Sequence, residues 1–287
     1  MTRANTTGRR PHESRGGNPF ELRKTENEAA VDSEIHVFGN GVICDTEKRG
    51  QATPKGRSVL EIVVNSTGGF IPLWAKDVTL RWRFQQRAFD SFADPEAAEA
   101  AIEQLFAEAL LAWGAALPVT FAKRDSAWDF EIVMRESDRC SINGCVLASA
   151  FFPDAGQHEL KLYPKMFQQS HQEQLETLVH ELGHAFGLRH FFANVSETGF
   201  PSEIFGTHDK FSIMNYGTES RLTDADKKDL ERLYRLAWAG ELTKINGTPI
   251  RLVTPFHTTG SAPESMVAVG KIETVIQPQA SAALAGT

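Results

Sequence analysis

His180-Glu181-Leu182-Gly183-His184-Ala185-Phe186-Gly187-Leu188-Arg189-His190 is the stretch on which the reading of this chain turns. Two histidines at i and i+4 stand one turn apart on the same face of a helix. At about 100° per residue they lie nearly opposite an apolar stripe of Leu175, Leu178, Val179, Leu182 and Phe186. One face of the helix can therefore enter a core while the other offers two imidazoles to a cleft. That is the spacing a single metal ion requires of one helix. Gly187 tolerates positive φ, so the chain can leave the helix sharply and bring His190 back as a third ligand. Three neutral nitrogens leave the double charge of zinc largely uncompensated and a fourth position open for water. Glu181 follows the first ligand and is placed to take a proton from that water, whose pKa zinc lowers to about 7. The expected chemistry is attack of the activated water on a carbonyl carbon, with Glu181 handing the proton to the leaving amine. A purely structural zinc site would close the fourth position and have no use for Glu181.

Outward from this motif the chain keeps a regular pattern. Ser170 and Glu173 form a capping box that opens the helix. Upstream, Val78, Leu80, Trp82 and Phe84 alternate with Thr79, Arg81 and Arg83, the period of a half-buried strand. Asp94-Pro95-Glu96 supplies an N-cap, a proline at the first helical position and an early acid. Ile102, Leu105, Phe106, Ala109 and Trp113 then recur at helical spacing until Gly114 and Pro118. Val119 to Phe121, Phe130 to Met134, Leu147 to Phe152 and Glu159 to Tyr163 read as further strands. Downstream, Phe191 to Arg221 reads as a loop region, with Asn194, Glu197, His208 and Asp209 as solvating or turn-forming residues. Thr223 with Asp226 caps a third helix carrying Leu230, Leu233 and Tyr234. The order β-α-β-β-β-β-α-α predicts an α/β (α+β) domain of roughly 165 residues.

The flanks differ in composition. Residues 1–34 are polar and basic (Arg3, Arg9, Arg10, Arg15, Arg23, Lys24) and read as a disordered tail. Residues 35–70, with apolar runs from Ile35 to Ile43 and Val59 to Val64, read as an N-terminal extension or a pro-segment. Residues 71–240 hold the domain, and 241–287, rich in Thr, Ser, Ala, Gly and Pro, read as a weakly ordered tail. With 41% hydrophobic residues in 287, the chain suits one substantial domain plus tails. A formal charge of −7 argues against nucleic acid or an anionic membrane as the main partner. The longest apolar run, Ala109 to Leu117, is far short of the roughly 20 residues of a membrane span, and 1–34 lack the apolar core of a secretory signal. Of the three cysteines, Cys140 and Cys145 can bridge around Ser141-Ile142-Asn143-Gly144, leaving Cys44 over. Three thiols, or one disulfide plus a thiol, both remain open.

Residues 180–190 resemble the long zinc motif of the metzincin metalloproteases, H-E-x-x-H-x-x-G-x-x-H. Ser212-Ile213-Met214-Asn215-Tyr216 is similar to their methionine turn, and the resemblance extends over residues 78–235. Ala97 to Phe121 looks like the first helix and second strand of matrixins, Ala148 to Phe152 like the upper edge strand along which metzincins bind substrate, and Leu222 to Tyr234 like their final helix. The resemblance implies a metzincin-type zincin domain: a twisted, mostly parallel sheet with an antiparallel edge strand, and three main helices. It implies one catalytic Zn2+ on His180, His184 and His190, with Met214 packed beneath the metal. The expected function is that of a zinc-dependent endopeptidase hydrolysing peptide bonds through a zinc-bound water activated by Glu181. A protein or peptide substrate would bind as an extended strand by β-augmentation. Tyr216 resembles astacins and serralysins, whose tyrosine at that place binds zinc or stabilises the oxyanion, and is a second candidate catalytic residue.

The chain also departs from matrixins. Phe191 replaces a small polar residue, and the region from Met134 to His158 lacks the cluster that binds their structural zinc. A disulfide loop of Cys140 and Cys145 is expected in its place. Cys44-Asp45 could occupy the zinc from a pro-segment. The glycine repeats of serralysins are absent. The family is mostly secreted, which sits against the lack of a signal, so compartment stays open, as do oligomeric state and cleavage preference. A zinc-binding interaction module without turnover and a zinc hydrolase of non-peptide amides are the competing classes; an intact Glu181 speaks against the first.

Overall fold

The structure, a computed structural model, describes residues 18–20, 42–43, 62–65, 69–141, 144–190, 202–205, 212–214 and 220–260. Along them run strands β1 (Val42–Ile43), β2 (Ile62–Asn65), β3 (Ile71–Trp74) and β4 (Thr79–Phe84), and helix α1 (Pro95–Trp113). Then come β5 (Thr120–Lys123), β6 (Phe130–Met134), β7 (Arg139–Ser141), β8 (Gly144–Val146), β9 (Ala148–Ser149) and β10 (His158–Leu162). Helix α2 (His171–Ala185) is followed by β11 (Leu188–Arg189), β12 (Ser202–Phe205), helix α3 (Asp224–Trp238), the hairpin β13 (Lys244–Ile245) and β14 (Thr248–Val253), and the short α4 (Phe256–Gly260).

Alternation along β4 buries Leu80, Trp82 and Phe84 on one side, and β4 becomes an inner strand of a five-stranded sheet ordered β5-β4-β6-β10-β9. Its pairs β4–β5, β4–β6 and β6–β10 are parallel. Only β9 runs antiparallel, at the edge against β10. This is the mixed α/β architecture expected, a mostly parallel sheet with an antiparallel edge strand and three main helices among the described residues. Asp94 caps α1 by accepting the Ala97 N–H at 3.0 Å, and Pro95 occupies the first turn. The α1 face of Ala98, Ile102, Leu105, Phe106, Ala109 and Trp113 packs into the core against the sheet and α2. Burying such side chains stabilises the fold by about 1.5–3 kcal/mol each for the larger ones. No helix among the described residues is long and apolar enough to cross a membrane.

The structure differs from expectation in three places. The ladder expected over Leu147 to Phe152 is confined to Ala148–Ser149. Beyond it Ala150 and Phe151 are both buried, Phe151 stacking on His158 and meeting Phe130 at a tilt, so the chain leaves the sheet for the core. Second, the expected loop after Phe191 contains β12, which pairs with β2. Third, past Gly240 the chain does not begin a weakly ordered tail. Asn246 and Gly247, both at positive φ, turn β13 back into β14, and β14 pairs parallel with β3. This added strand is the middle strand of a small sheet ordered β13-β14-β3. Pro249, which has no N–H to donate, stands opposite Lys244 and just before Ile250, where the ladder to β3 begins. Cys140 and Cys145, directly opposite across β7 and β8, form the disulfide. Cys44, Asp45, Phe191, Asn194, Glu197, His208 and Asp209 lie outside the described residues.

Candidate active site

Helix α2 begins as predicted. Ser170 Oγ accepts the Glu173 N–H, and the Glu173 carboxylate accepts the Ser170 N–H at 2.9 Å. Its far end is held by side chains from elsewhere in the chain. The last carbonyls of a helix have no partner within it. Here the Trp74 indole donates to the Ala185 carbonyl at 2.8 Å, and the Tyr234 hydroxyl to the Phe186 carbonyl at 2.9 Å. Nearly two turns earlier the Trp113 indole donates to the Val179 carbonyl. Gly187, at φ 93°, then turns the chain into β11. A Cβ there would meet the Pro72 carbonyl at 3.3 Å, so both the angle and the space require glycine.

His180, His184 and His190 meet at this turn, with one ring nitrogen of each within 4.8 Å of the others. His180 Nε2 is 3.0 Å from His190 Nε2 and 3.2 Å from His184 Nε2. The other nitrogens fix the tautomers. His180 Nδ1 donates to the Ile213 carbonyl at 2.7 Å and His184 Nδ1 to the Leu188 carbonyl at 2.8 Å. A carbonyl can only accept, so the Nε2 atoms of these two rings carry lone pairs and face each other. Burial penalises the charged imidazolium and pushes His180 down to about 4. Burial, with neighbouring histidines and Arg189, holds His184 and His190 well below the usual range. Converging lone pairs on neutral rings repel unless a cation lies between them. Zinc–nitrogen bonds of about 2.0–2.1 Å at tetrahedral angles put ligand nitrogens about 3.3–3.4 Å apart, close to the spacing found. The residues therefore fit a zinc ion. Among the described residues this is the one such group of histidine, cysteine and acidic side chains.

Glu181, next to His180 on α2, is buried. Met214 is buried beneath the helix, where a Cβ on Gly183 would lie 2.5 Å from its Sδ. Glycine at 183 is what lets the methionine approach. The turn carrying Met214 is tied to α3: Ser212 Oγ donates to Asp226 at 2.6 Å, and the Met214 N–H donates to Ser212 Oγ. Asp226 also accepts from Thr223 in the capping box of α3. Burial raises the Asp226 carboxyl, and these hydrogen bonds oppose the shift. Asp226 thus caps a helix and at the same time fixes the turn whose Ile213 carbonyl orients His180. The capping role is visible in the sequence, the second is not. Nor do Trp74 and Tyr234 carry a local signal, since their partners lie 111 and 48 residues away. Tyr216 lies outside the described residues.

Comparison with known proteins agrees with this geometry. No curated protein matches the chain significantly. The solved structures that match include High choriolytic enzyme 1, a hatching-enzyme zinc-protease from Oryzias latipes (medaka fish). It is 14% identical, with a TM-score of 0.36, over 57% of this chain and 94% of that one, a likeness too loose to carry any property across. The family model of the matrixins, the M10 peptidases, matches residues 73–235, more than half of the chain and the whole path from β3 through α2 to α3. The chain belongs to the matrixin family and is a zinc metalloendopeptidase.

Proposed function

We propose that His180, His184 and His190 hold the catalytic zinc and that Glu181 is the general base of peptide hydrolysis. The observation that carries this is the convergence of three neutral imidazoles, two of them locked with Nε2 as acceptor by backbone carbonyls. When bound, zinc supplies a Lewis acid that polarises the scissile carbonyl and makes water a stronger acid. The Ile213 and Leu188 carbonyls hold the rings in orientation and increase their basicity. Glu181 accepts the proton of the attacking water and delivers it to the leaving amide nitrogen. An extended peptide pairs its backbone with the edge strand β9, the outer strand of the main sheet. Tyr216, two residues past Met214, donates its phenol to the developing oxyanion.

The test is cleavage of casein or a peptide library, with and without chelator. Glu181→Ala is expected to lower kcat by about 10²–10⁴-fold with zinc content unchanged. Tyr216→Phe is expected to lower kcat more than it raises KM. Chelator-sensitive turnover that survives Glu181→Ala would remove the base assignment. Zinc binding with no peptide cleavage would favour an interaction module or a hydrolase of other amides.

A further inference from the structure

We infer that β2, which precedes the matrixin-matched region, is a positioning element of the metal centre. This rests on the reading of His190 as a ligand. Strand β11 consists of two residues, Leu188 and Arg189, set between the Gly187 turn and His190. It serves two members of the triad. The Leu188 carbonyl accepts from His184 Nδ1 at 2.8 Å, and Arg189 is joined covalently to His190. Both residues are buried.

Two residues cannot hold an extended conformation unaided, since fixing each backbone unit costs about 1–2 kcal/mol in entropy. Among the described residues the ladder partner of β11 is β2, with Leu188 opposite Val64 and Arg189 opposite Val63. On its other side β2 pairs with β12, so it is the middle strand of a three-stranded sheet, β11-β2-β12. The chain then continues into β3, whose Pro72 carbonyl abuts Gly187 and whose Trp74 indole caps Ala185. Two upstream strands, Ile62–Asn65 and Ile71–Trp74, therefore meet the turn between the last residue of the metal-site helix and the residue before His190. Residues 35–70 admit two readings, a removable pro-segment or an integral extension. The pairing assigns β2 to the second. The third histidine is aimed by a strand from outside the family domain, and the enzyme keeps that strand in its active form.

Proline scanning of the full-length chain tests this. Neighbouring residues of a middle strand turn their N–H groups to opposite sides. One of Val63→Pro and Val64→Pro therefore removes a rung to β11 and the other a rung to β12. Zinc affinity, read by chelator competition, is expected to fall about 10–100-fold in the variant that severs β11, as for loss of an outer-shell support. Val63→Ala and Val64→Ala keep both N–H groups and are expected to retain wild-type affinity. Wild-type affinity in both proline variants overturns the inference, and so does an equal loss in the alanine variants. Should the proline variants fail to fold, hydrogen exchange on the zinc-loaded wild type decides. Amides of 62–65 and of 188–189 are expected to be protected together, and fast exchange across 62–65 overturns the inference. Wild-type zinc affinity in His190→Ala would break the ligand reading itself, whereas a weakened His190→Ala beside unaffected proline variants would break only the role of β2.

Discussion

Burial keeps His180 neutral, and neutrality is what a metal ligand needs. The folded value of about 4 lies below the 6.5 of the unfolded chain. Between those two values the unfolded state binds the proton that the native state refuses. The metal-free fold is therefore expected to keep its full stability above about pH 6.5 and to lose it as the pH falls toward 4, by about 1 kcal/mol per pH unit for each histidine so placed. His184 and His190 shift in the same direction and steepen the loss. Urea denaturation of chelator-treated protein at pH 7.5, 6 and 5 measures it. A midpoint that does not move over this range would mean that the rings are hydrated in the native state.

At the scale of elements, α2 is a helix stabilised at both ends by different means. Ser170 and Glu173 close its start from within four residues, as a capping box does. Its end depends on Trp74 and Tyr234, whose polar atoms donate to the carbonyls of Ala185 and Phe186. Tyr234 joins the two, since its hydroxyl also accepts the Trp74 N–H at 3.3 Å. Burial raises its phenol well above the ordinary value, so it remains a neutral donor. Removing it leaves a buried carbonyl and a buried N–H unsatisfied. Tyr234→Phe is expected to lower stability by about 1–3 kcal/mol, read as a fall in the thermal midpoint. An unchanged midpoint would show that the end of α2 holds without this cap.

The whole molecule extends past the matrixin-matched region at both ends. At the N-terminal side β2 supports β11. At the C-terminal side β14 adds to β3, and α4 then docks on the main sheet. The docking contact is a buried pair: Asp129 accepts from His257 Nδ1 and from the His257 N–H, each at 2.8 Å, and from the Arg81 N–H at 2.7 Å. His257→Ala removes one of these donors and some packing while leaving the two backbone N–H groups in place. It is expected to destabilise the protein by about 1–3 kcal/mol. Thermal melts that coincide with wild type would show that the C-terminal segment contributes nothing to the fold.

The local rules that shaped α1, α2 and α3 are all written within a few residues. Asp94 before Pro95, Ser170 with Glu173, and Thr223 with Asp226 each lie where the structure begins a helix. The spacing of His180, Glu181, His184, Gly187 and His190 needs only helix geometry and one flexible turn, so the candidate site was legible from sequence alone. Asn246-Gly247 is also a local hairpin signal, concealed by a polar segment in which β14 buries little. What sequence alone did not determine are the contacts that join distant residues: Trp74 on Ala185, Tyr234 on Phe186, Ser212 on Asp226, Asp129 on His257, and β2 on β11. Hydrogen bonds of this kind depend on where packing brings two backbones together, and neither partner carries a residue pattern that announces the other. Sequence determined which residues could hold a metal; the tertiary structure decided how they are held, because a ring is oriented by the carbonyl behind it and a two-residue strand by its neighbour.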